Sequence, residues 1–244
     1  MRRLLATISL VFAVVLVSIS ADAARIKDLV DVSGVRGNQL IGYGLVVGLN
    51  GSGDSLRSNA FTEQSLKSML DRFGVGVSDA QLRSENVAAV MGTAQLPPFA
   101  RKGSRIDVKV STIGDADSLR GGRLLQTPLK GGNNKVYAVA QGPVSSAGFQ
   151  AEGQAAQVVN GVPTSGVVSN GAIVEREVNF NLNSLNNIEL ALRDPDFSTA
   201  TNIADAINQQ LGEQLARAKD NGTIVATVPG AFDDRVARFI SRIE

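Results

Sequence analysis

Apolar residues recur along the chain with two different spacings, and each spacing predicts a different kind of element. The run from Tyr43 to Leu49 is short, apolar and bounded by glycines, which predicts a buried strand. Residues Arg105 to Ile113 alternate between apolar and polar, which predicts a strand with one face buried and one face in water. Further strands are predicted at residues 87–96, 136–140, 173–180, 188–192 and 223–228.

A helical spacing of three and four residues occurs over about residues 59–73, 198–211 and 234–243. Gly74 and Gly212 follow the first two segments, where a C-terminal cap is expected. Ser198 or Thr199 is the expected N-cap of the second segment. Strands outnumber helices, so the pattern predicts a strand-rich α+β fold with a few amphipathic helices and a C-terminal β-α-β-α module.

These elements divide the chain into a signal peptide (1–23), an N-terminal α+β region (24–141), a connecting loop (142–172) and the β-α-β-α module (173–244). The loop is rich in Gly, Ser and Ala, and Glu152 is the only charged residue between Val136 and Val174. It is therefore either a flexible connection or a segment ordered by a neighbour. Because the chain stops inside its last amphipathic helix, we expect that it is truncated at the C-terminus.

The first 23 residues have the features of an export signal. Arg2 and Arg3 precede an apolar run, and the sequence Ala21-Asp22-Ala23 predicts cleavage between Ala23 and Ala24. An uncleaved N-terminal anchor is the alternative. Removal of the signal leaves 22 basic and 22 acidic residues. The mature chain then has no net charge that would attract nucleic acid or an anionic membrane, and no second run long enough to cross a bilayer.

The composition restricts the chemistry, because the chain contains neither histidine nor cysteine. This excludes a Ser-His-Asp triad, a Cys-His pair and an ordinary zinc site. None of the lysines follows a serine at the spacing of a Ser-x-x-Lys dyad. Carboxylate pairs for glycoside hydrolysis stay open, because their spacing is spatial. We predict no catalytic residue, cofactor or metal site.

The glycine-rich stretch before Ser55 nearly matches two nucleotide-binding motifs. Gly48 and Gly53 have the spacing of a phosphate loop, but Asp54 occupies the position of the required lysine and would repel phosphate. Gly42 and Gly44 miss the dinucleotide spacing by one residue. Turn and strand glycines are therefore the favoured interpretation.

Charged residues in loops suggest two further kinds of contact. The pairs Asp115-Ala-Asp117 and Asp194-Pro-Asp196 begin like calcium loops. Leu119 stands where the first needs its third ligand and Thr199 where the second needs glycine, so turns are favoured. Arg120, Arg123 and Lys130 belong to a basic loop cluster. This cluster is either a solvated surface or a contact with acidic cell-wall polymer or an acidic partner.

Several long blocks of sequence resemble the flagellar P-ring protein family of Gram-negative bacteria. These blocks are RIKDLVDVSGVRGNQLIGYGLVVGLNGSGD (25–54), NVAAVMGTAQLPPFARKGSRIDVKVSTIGDADSLRGG (86–122), LLQTPLKG (124–131), VYAVAQGPV (136–144) and NGAIVEREV (170–178). The resemblance implies a structural protein of the periplasm and the flagellar basal body, of which many copies form a ring around the distal rod. It implies contacts with the rod, the L-ring lipoprotein and the peptidoglycan layer, and a role in the bushing for rod rotation in motility. Family members usually continue beyond the position that corresponds to Glu244, and their C-terminal part often includes cysteines. This chain has no cysteine.

Two functional hypotheses follow. The first is a ring subunit, with close backbone packing between copies at the candidate assembly contacts Gly42, Tyr43, Gly44, Leu45, Val46 and Val47. The alternative is a monomeric periplasmic peptidoglycan-binding module or cell-wall hydrolase. The scarcity of aromatic residues for sugar stacking weighs against this alternative.

Overall fold

The computed structural model of the protein describes residues 25–76, 84–146, 149–153, 156–160, 162–178, 180–232 and 234–244. The signal peptide and the cleavage site at Ala23 and Ala24 lie outside the described residues. The helices are α1 (Ile26–Leu29), α2 (Ala60–Arg72), α3 (Phe197–Leu211) and α4 (Val236–Ile243). The strands are β1 (Val30–Val32), β2 (Asn38–Val47), β3 (Val87–Leu96), β4 (Arg105–Thr112), β5 (Arg123–Lys130), β6 (Val136–Pro143), β7 (Phe149–Gly153), β8 (Ala156–Asn160), β9 (Ser165–Val174), β10 (Asn187–Leu192), β11 (Ala216–Ala218) and β12 (Thr223–Thr227).

The chain folds as two compact units. The barrel unit comprises residues 35–180, and the sheet-and-helix unit comprises residues 25–34 together with 181–244. Among the described residues, none of the helices has the length and apolar character needed to cross a membrane. The predicted strand-rich α+β class is confirmed.

Six strands of the barrel unit close on themselves in the order β2-β3-β4-β9-β6-β5. Alternation along β4 shows how the barrel core forms, because Ile106, Val108 and Val110 are buried while the residues between them are exposed. The predicted strand at Arg105 to Ile113 is therefore confirmed within one residue. Inward side chains of the other strands complete this core, among them Leu40, Val90, Leu129, Ala140 and Val168.

Helix α2 packs on the outside of the barrel, over β2 and β3. Its residue Leu66 joins Leu45, Val87 and Ala89 in a second, smaller apolar core. A strand that is covered on both faces needs apolar residues at consecutive positions. This explains why the run at the end of β2 is continuous, while β4 alternates.

The sheet-and-helix unit contains a four-stranded sheet in the order β1-β10-β12-β11. Residues of α3 and α4, including Ile203, Ile207, Phe239 and Ile243, pack with the sheet into one core. Asp196 is the N-cap of α3 and accepts hydrogen bonds from the Thr199 backbone and hydroxyl, both at 2.7 Å. These bonds lower the pKa of Asp196.

The N-cap prediction of Ser198 or Thr199 was wrong, because the aspartate before them has the oxygen that reaches the free N–H groups. The C-cap prediction at Gly212 is confirmed by its left-handed backbone, with φ 76°.

The domain boundaries differ from those predicted at residues 142–172 and 173–244. The segment predicted as a connecting loop contains the β7–β8 hairpin and most of β9, which is a strand of the barrel. A strand was predicted at residues 173–180, but the observed strand β9 runs from Ser165 to Val174. Because glycines and small residues dominate this segment, its weak alternation did not stand out from a loop.

The sheet-and-helix unit is also discontinuous, since residues 25–34 pair with the C-terminal part. Val30 opposes Leu192 in the β1–β10 ladder. Arg193 donates to both carboxylate oxygens of Asp31, from Nη2 at 2.9 Å and from Nε at 3.3 Å. This pairing lowers the pKa of Asp31. The predicted region 24–141 therefore contains parts of two units.

Candidate assembly surface

The register of the barrel strands defines two ends. Val47 of β2 opposes Arg123 of β5 at one end, and Ile41 opposes Lys130 at the other. We call them the Asp54 end (residues 48–56, 84–87 and 112–123) and the Lys130 end (residues 36–41, 93–109 and 130–136). Because strand β5 runs from one end to the other, the two ends lie roughly 20 Å apart.

A groove of about 950 Å³ lies at the Lys130 end. Residues from β2, β3, β4, β5 and β9 line it. Ile41 is 52% exposed there, and Pro97 and Val167 add apolar surface. The groove therefore offers contact area to apolar side chains of a partner.

The charged residues that line the groove are three cations, Arg105, Lys109 and Lys130, and one carboxylate, Asp107. Asp107 already accepts a hydrogen bond from the Asn170 backbone at 2.7 Å. The Arg105 guanidinium donates to the Asn170 carbonyl at 3.2 Å. The groove thus combines apolar surface with an excess of positive charge, which suits an acidic partner.

The three basic residues singled out in the sequence are exposed, but the structure does not bring them together. Arg120 and Arg123 lie at the Asp54 end, whereas Lys130 lines the groove at the opposite end. They cannot form one binding site, because β5 carries Arg123 and Lys130 at its two ends. Lys109, which the sequence pattern placed only on the wet face of a strand, lies with Lys130 in the groove.

Most of the candidate assembly contacts on β2 lie inside the barrel unit, which contradicts that hypothesis for them. Gly42, Gly44, Leu45 and Val46 are buried, Val47 is half-buried and Tyr43 is exposed. Val46 belongs to the barrel core and Leu45 to the core under α2. Tyr43 extends toward the helix, where its hydroxyl lies 2.8 Å from the Ser65 hydroxyl.

Gly42 and Gly44 do permit close approach, but within one copy. A Cβ atom at Gly42 would overlap the Pro128 carbonyl, and one at Gly44 would overlap the Thr127 hydroxyl. Both neighbours belong to β5, so the glycines allow β2 and β5 to close a narrow barrel.

Asp54 is a buried residue whose role the sequence did not reveal. Its carboxylate is fully inaccessible and accepts hydrogen bonds from the Thr62 hydroxyl at 2.7 Å, the Ala89 N–H at 2.8 Å and the Ala116 N–H at 3.0 Å. Gly114 leaves room for it, since a Cβ there would overlap the carboxylate. Asp54 therefore joins helix α2, strand β3 and the loop after β4.

Two of the four aspartates considered as calcium ligands, Asp115 and Asp196, accept hydrogen bonds within the protein. Asp115 accepts hydrogen bonds from the Ser55 N–H, at 3.0 Å, and from the Asn59 side chain. Asp196 caps α3 as described above. Within the described part of the chain, no group of three or more carboxylate side chains is placed to hold a metal ion.

Several large apolar side chains of the barrel unit are exposed. The most exposed are Phe73 at 76%, Val162 at 60% and Val75 at 52%, besides Ile41 in the groove. Single exposed apolar side chains are common on folded proteins, so these residues do not by themselves define an interface.

Comparison with known proteins extends over nearly the whole described chain. A family model described as "Flagellar P-ring protein" matches residues 25–244. The flagellar P-ring protein of Bradyrhizobium sp. (strain BTAi1 / ATCC BAA-1182) is 56% identical over 221 residues, which cover 91% of this chain and 59% of that protein. The flagellar P-ring protein of Rhodopseudomonas palustris (strain TIE-1) is 53% identical over 233 residues, which cover 95% of this chain and 62% of that protein.

A third relative, the flagellar P-ring protein of Nitrobacter hamburgensis, is 55% identical over 221 residues, which cover 91% of this chain and 59% of that protein. This chain thus spans between 59% and 62% of the length of these relatives. The identity is high and the family model matches from Arg25 to the last residue. The chain therefore belongs to the flagellar P-ring protein family.

Proposed function

We propose that this chain is a structural subunit of the flagellar P ring in the basal body. The observation that carries the proposal is the family match over residues 25–244, together with relatives that are 53–56% identical and bear that name. The proposed role is mechanical, as part of a bushing for the rotating rod, and involves no catalysis.

The barrel unit has properties that suit a subunit of a larger assembly. The groove at the Lys130 end of the barrel combines the exposed side chain of Ile41 with an excess of positive charge. A second copy or a partner that covers this groove would remove its apolar surface from water, which favours association.

We further propose that the chain acts in the periplasm after its signal is removed. Its proposed partners there are other copies of itself, the distal rod, the L-ring lipoprotein and the peptidoglycan layer. The alternative of a monomeric peptidoglycan-binding module or cell-wall hydrolase is not supported by the matches described above, all of which bear the P-ring name.

Deletion of the gene for this chain should abolish swimming, and the chain supplied on a plasmid should restore it. An affinity-tagged copy should purify together with rod and hook proteins, because a ring subunit stays on the basal body. A matched control is the same tagged chain in a strain that lacks rod proteins, where this co-purification should be lost. Normal swimming of the deletion strain would contradict the proposal.

Arg120 and Arg123 remain proposed contacts with acidic cell-wall polymer or an acidic partner at the Asp54 end. Reversing both to glutamate should reduce co-sedimentation of the chain with purified cell-wall sacculi by about tenfold at low salt. Reversal replaces attraction to the acidic groups of the polymer by repulsion, and low salt leaves these charges unscreened. Reversal of Lys219, an exposed lysine of the other unit that pairs with Glu189 at 3.2 Å, is the control. Equal co-sedimentation of the unchanged chain, the variant reversed at Arg120 and Arg123, and the Lys219 variant would contradict this contact.

A further inference from the structure

The two units carry opposite net charges. The barrel unit contains 14 basic and 11 acidic residues, a net charge of +3. Residues 25–34 and 181–244 contain 8 basic and 11 acidic residues, a net charge of −3. Residues 25–244 carry no net charge as a whole, but the two units carry opposite charges, which favours contacts between unlike units of different copies.

The groove at the Lys130 end carries part of this positive charge, since three cations and one carboxylate line it. Among the described residues, Lys109 and Lys130 have no carboxylate within salt-bridge distance, although both line the groove. Ile41 and Val167 provide apolar surface beside them. An occupant that satisfies this groove has carboxylates and at least one apolar side chain.

Helix α3 presents a surface of that chemistry. Residues 194–216 contain four acidic residues, Asp194, Asp196, Asp205 and Glu213, and no lysine or arginine. Phe197, Thr201, Asp205 and Gln209 recur every four residues along the helix and are all exposed, Phe197 to 70%. The exposed stripe thus joins a phenylalanine to a carboxylate, and Glu213 follows at the end of the helix.

We propose that the groove at the Lys130 end of one copy receives the exposed stripe of helix α3 of a second copy. Asp205 and Glu213 then face Lys109, Lys130 and Arg105, while Phe197 packs on the apolar part of the groove. The proposal rests on the proposed ring function and names the contact by which copies meet.

A second copy fits the groove better than a cell-wall polymer does. A glycan strand with peptide carboxylates satisfies the lysines, but it has no side chain comparable to Phe197 for the surface around Ile41. The groove and the helix stripe are different surfaces, so their contact is heterologous. A heterologous contact leaves a groove and a helix free at the two ends of every dimer and can therefore propagate into a ring.

Crosslinking between single-cysteine variants tests this contact, because the chain has no cysteine of its own. Thr93→Cys places one thiol in the groove, and Gln209→Cys places one on the α3 stripe. The first variant, carrying a tag, is mixed with the untagged second variant and treated with a short bismaleimide at low salt. The expected main product is a dimer of one tagged and one untagged chain. Gln39→Cys, also in the groove, repeats the test if Thr93→Cys folds poorly.

Charge reversal makes the test specific. Lys109→Glu with Lys130→Glu should lower the yield of the mixed dimer at least about tenfold, and Asp205→Lys with Glu213→Lys on the other chain should restore it. Lys135→Glu with Arg57→Glu, exposed on the barrel unit but outside the groove, should leave the yield unchanged. A mixed dimer no more abundant than dimers of either variant alone, or one insensitive to these reversals, would overturn the proposal.

The outcomes separate this inference from the proposed function. If the chain restores swimming but the mixed dimer does not form, only the contact is wrong. If the mixed dimer forms but the chain fails to restore swimming, the proposed function is wrong.

Discussion

Replacing Asp54 with alanine should destabilise the barrel unit by about 3 kcal/mol or more. The substitution leaves the Thr62 hydroxyl and the Ala89 and Ala116 N–H groups buried without an acceptor. Each orphaned buried donor costs about 1–3 kcal/mol. In a protein of this size the loss corresponds to a decrease of roughly 10 °C in the melting temperature. Thermal and urea unfolding, followed by circular dichroism, measure it.

Two further variants make the Asp54 result interpretable. Asp54→Asn keeps one acceptor oxygen but turns an amide donor toward N–H groups, so we expect a loss that is smaller than that of alanine but still substantial. Asp117→Asn changes an exposed aspartate at the same end of the barrel and should alter stability little. A wild-type melting temperature for Asp54→Ala would show that the carboxylate does not hold this part of the barrel together.

Gly44→Ala should also destabilise the barrel, by about 3 kcal/mol, since overpacking a well-packed core typically costs about 1–3 kcal/mol. A Cβ at this position overlaps the Thr127 hydroxyl and lies 3.0 Å and 3.1 Å from the Thr127 methyl and Cβ. Gly44→Val, with two more methyl groups, should prevent folding of the unit. Denaturant unfolding of Gly44→Ala gives the magnitude.

The chain offers a matched glycine and a compensating change. Gly132 has open space where a Cβ would lie, so Gly132→Ala should leave stability nearly unchanged. Thr127→Ala removes the atoms that overlap, and the double variant Gly44→Ala with Thr127→Ala should recover part of the loss. Equal stability losses for Gly44→Ala and Gly132→Ala, or no coupling between positions 44 and 127, would contradict the close approach of β2 and β5.

The elements that the sequence predicted well are those with a single, clear periodicity. Strand β4 alternates because one face meets the barrel core and the other meets solvent. Helix α2 was expected over about residues 59–73 and spans Ala60–Arg72, since its buried residues follow helical spacing. Where a strand is covered on both faces, as at Leu45 and Val46, the run predicted a strand but not which surface covers it.

The features that could not be predicted depend on contacts between distant segments. No local pattern indicates that Val30 pairs with Leu192, so the discontinuous unit was missed. Asp54 was considered only for its mismatch with a phosphate loop, because its three donors come from residues 8 to 62 positions away. The separation of Arg123 from Lys130 likewise became visible only with the register of β5.

Electron microscopy of basal bodies is the measurement that tests the central claim most directly. Basal bodies purified from a strain that lacks the gene for this chain should show the rod without a ring at the level of the peptidoglycan, and supplying the chain should restore that ring. A complete ring around the rod in the deletion strain would contradict the assignment of this chain as a subunit of the P ring.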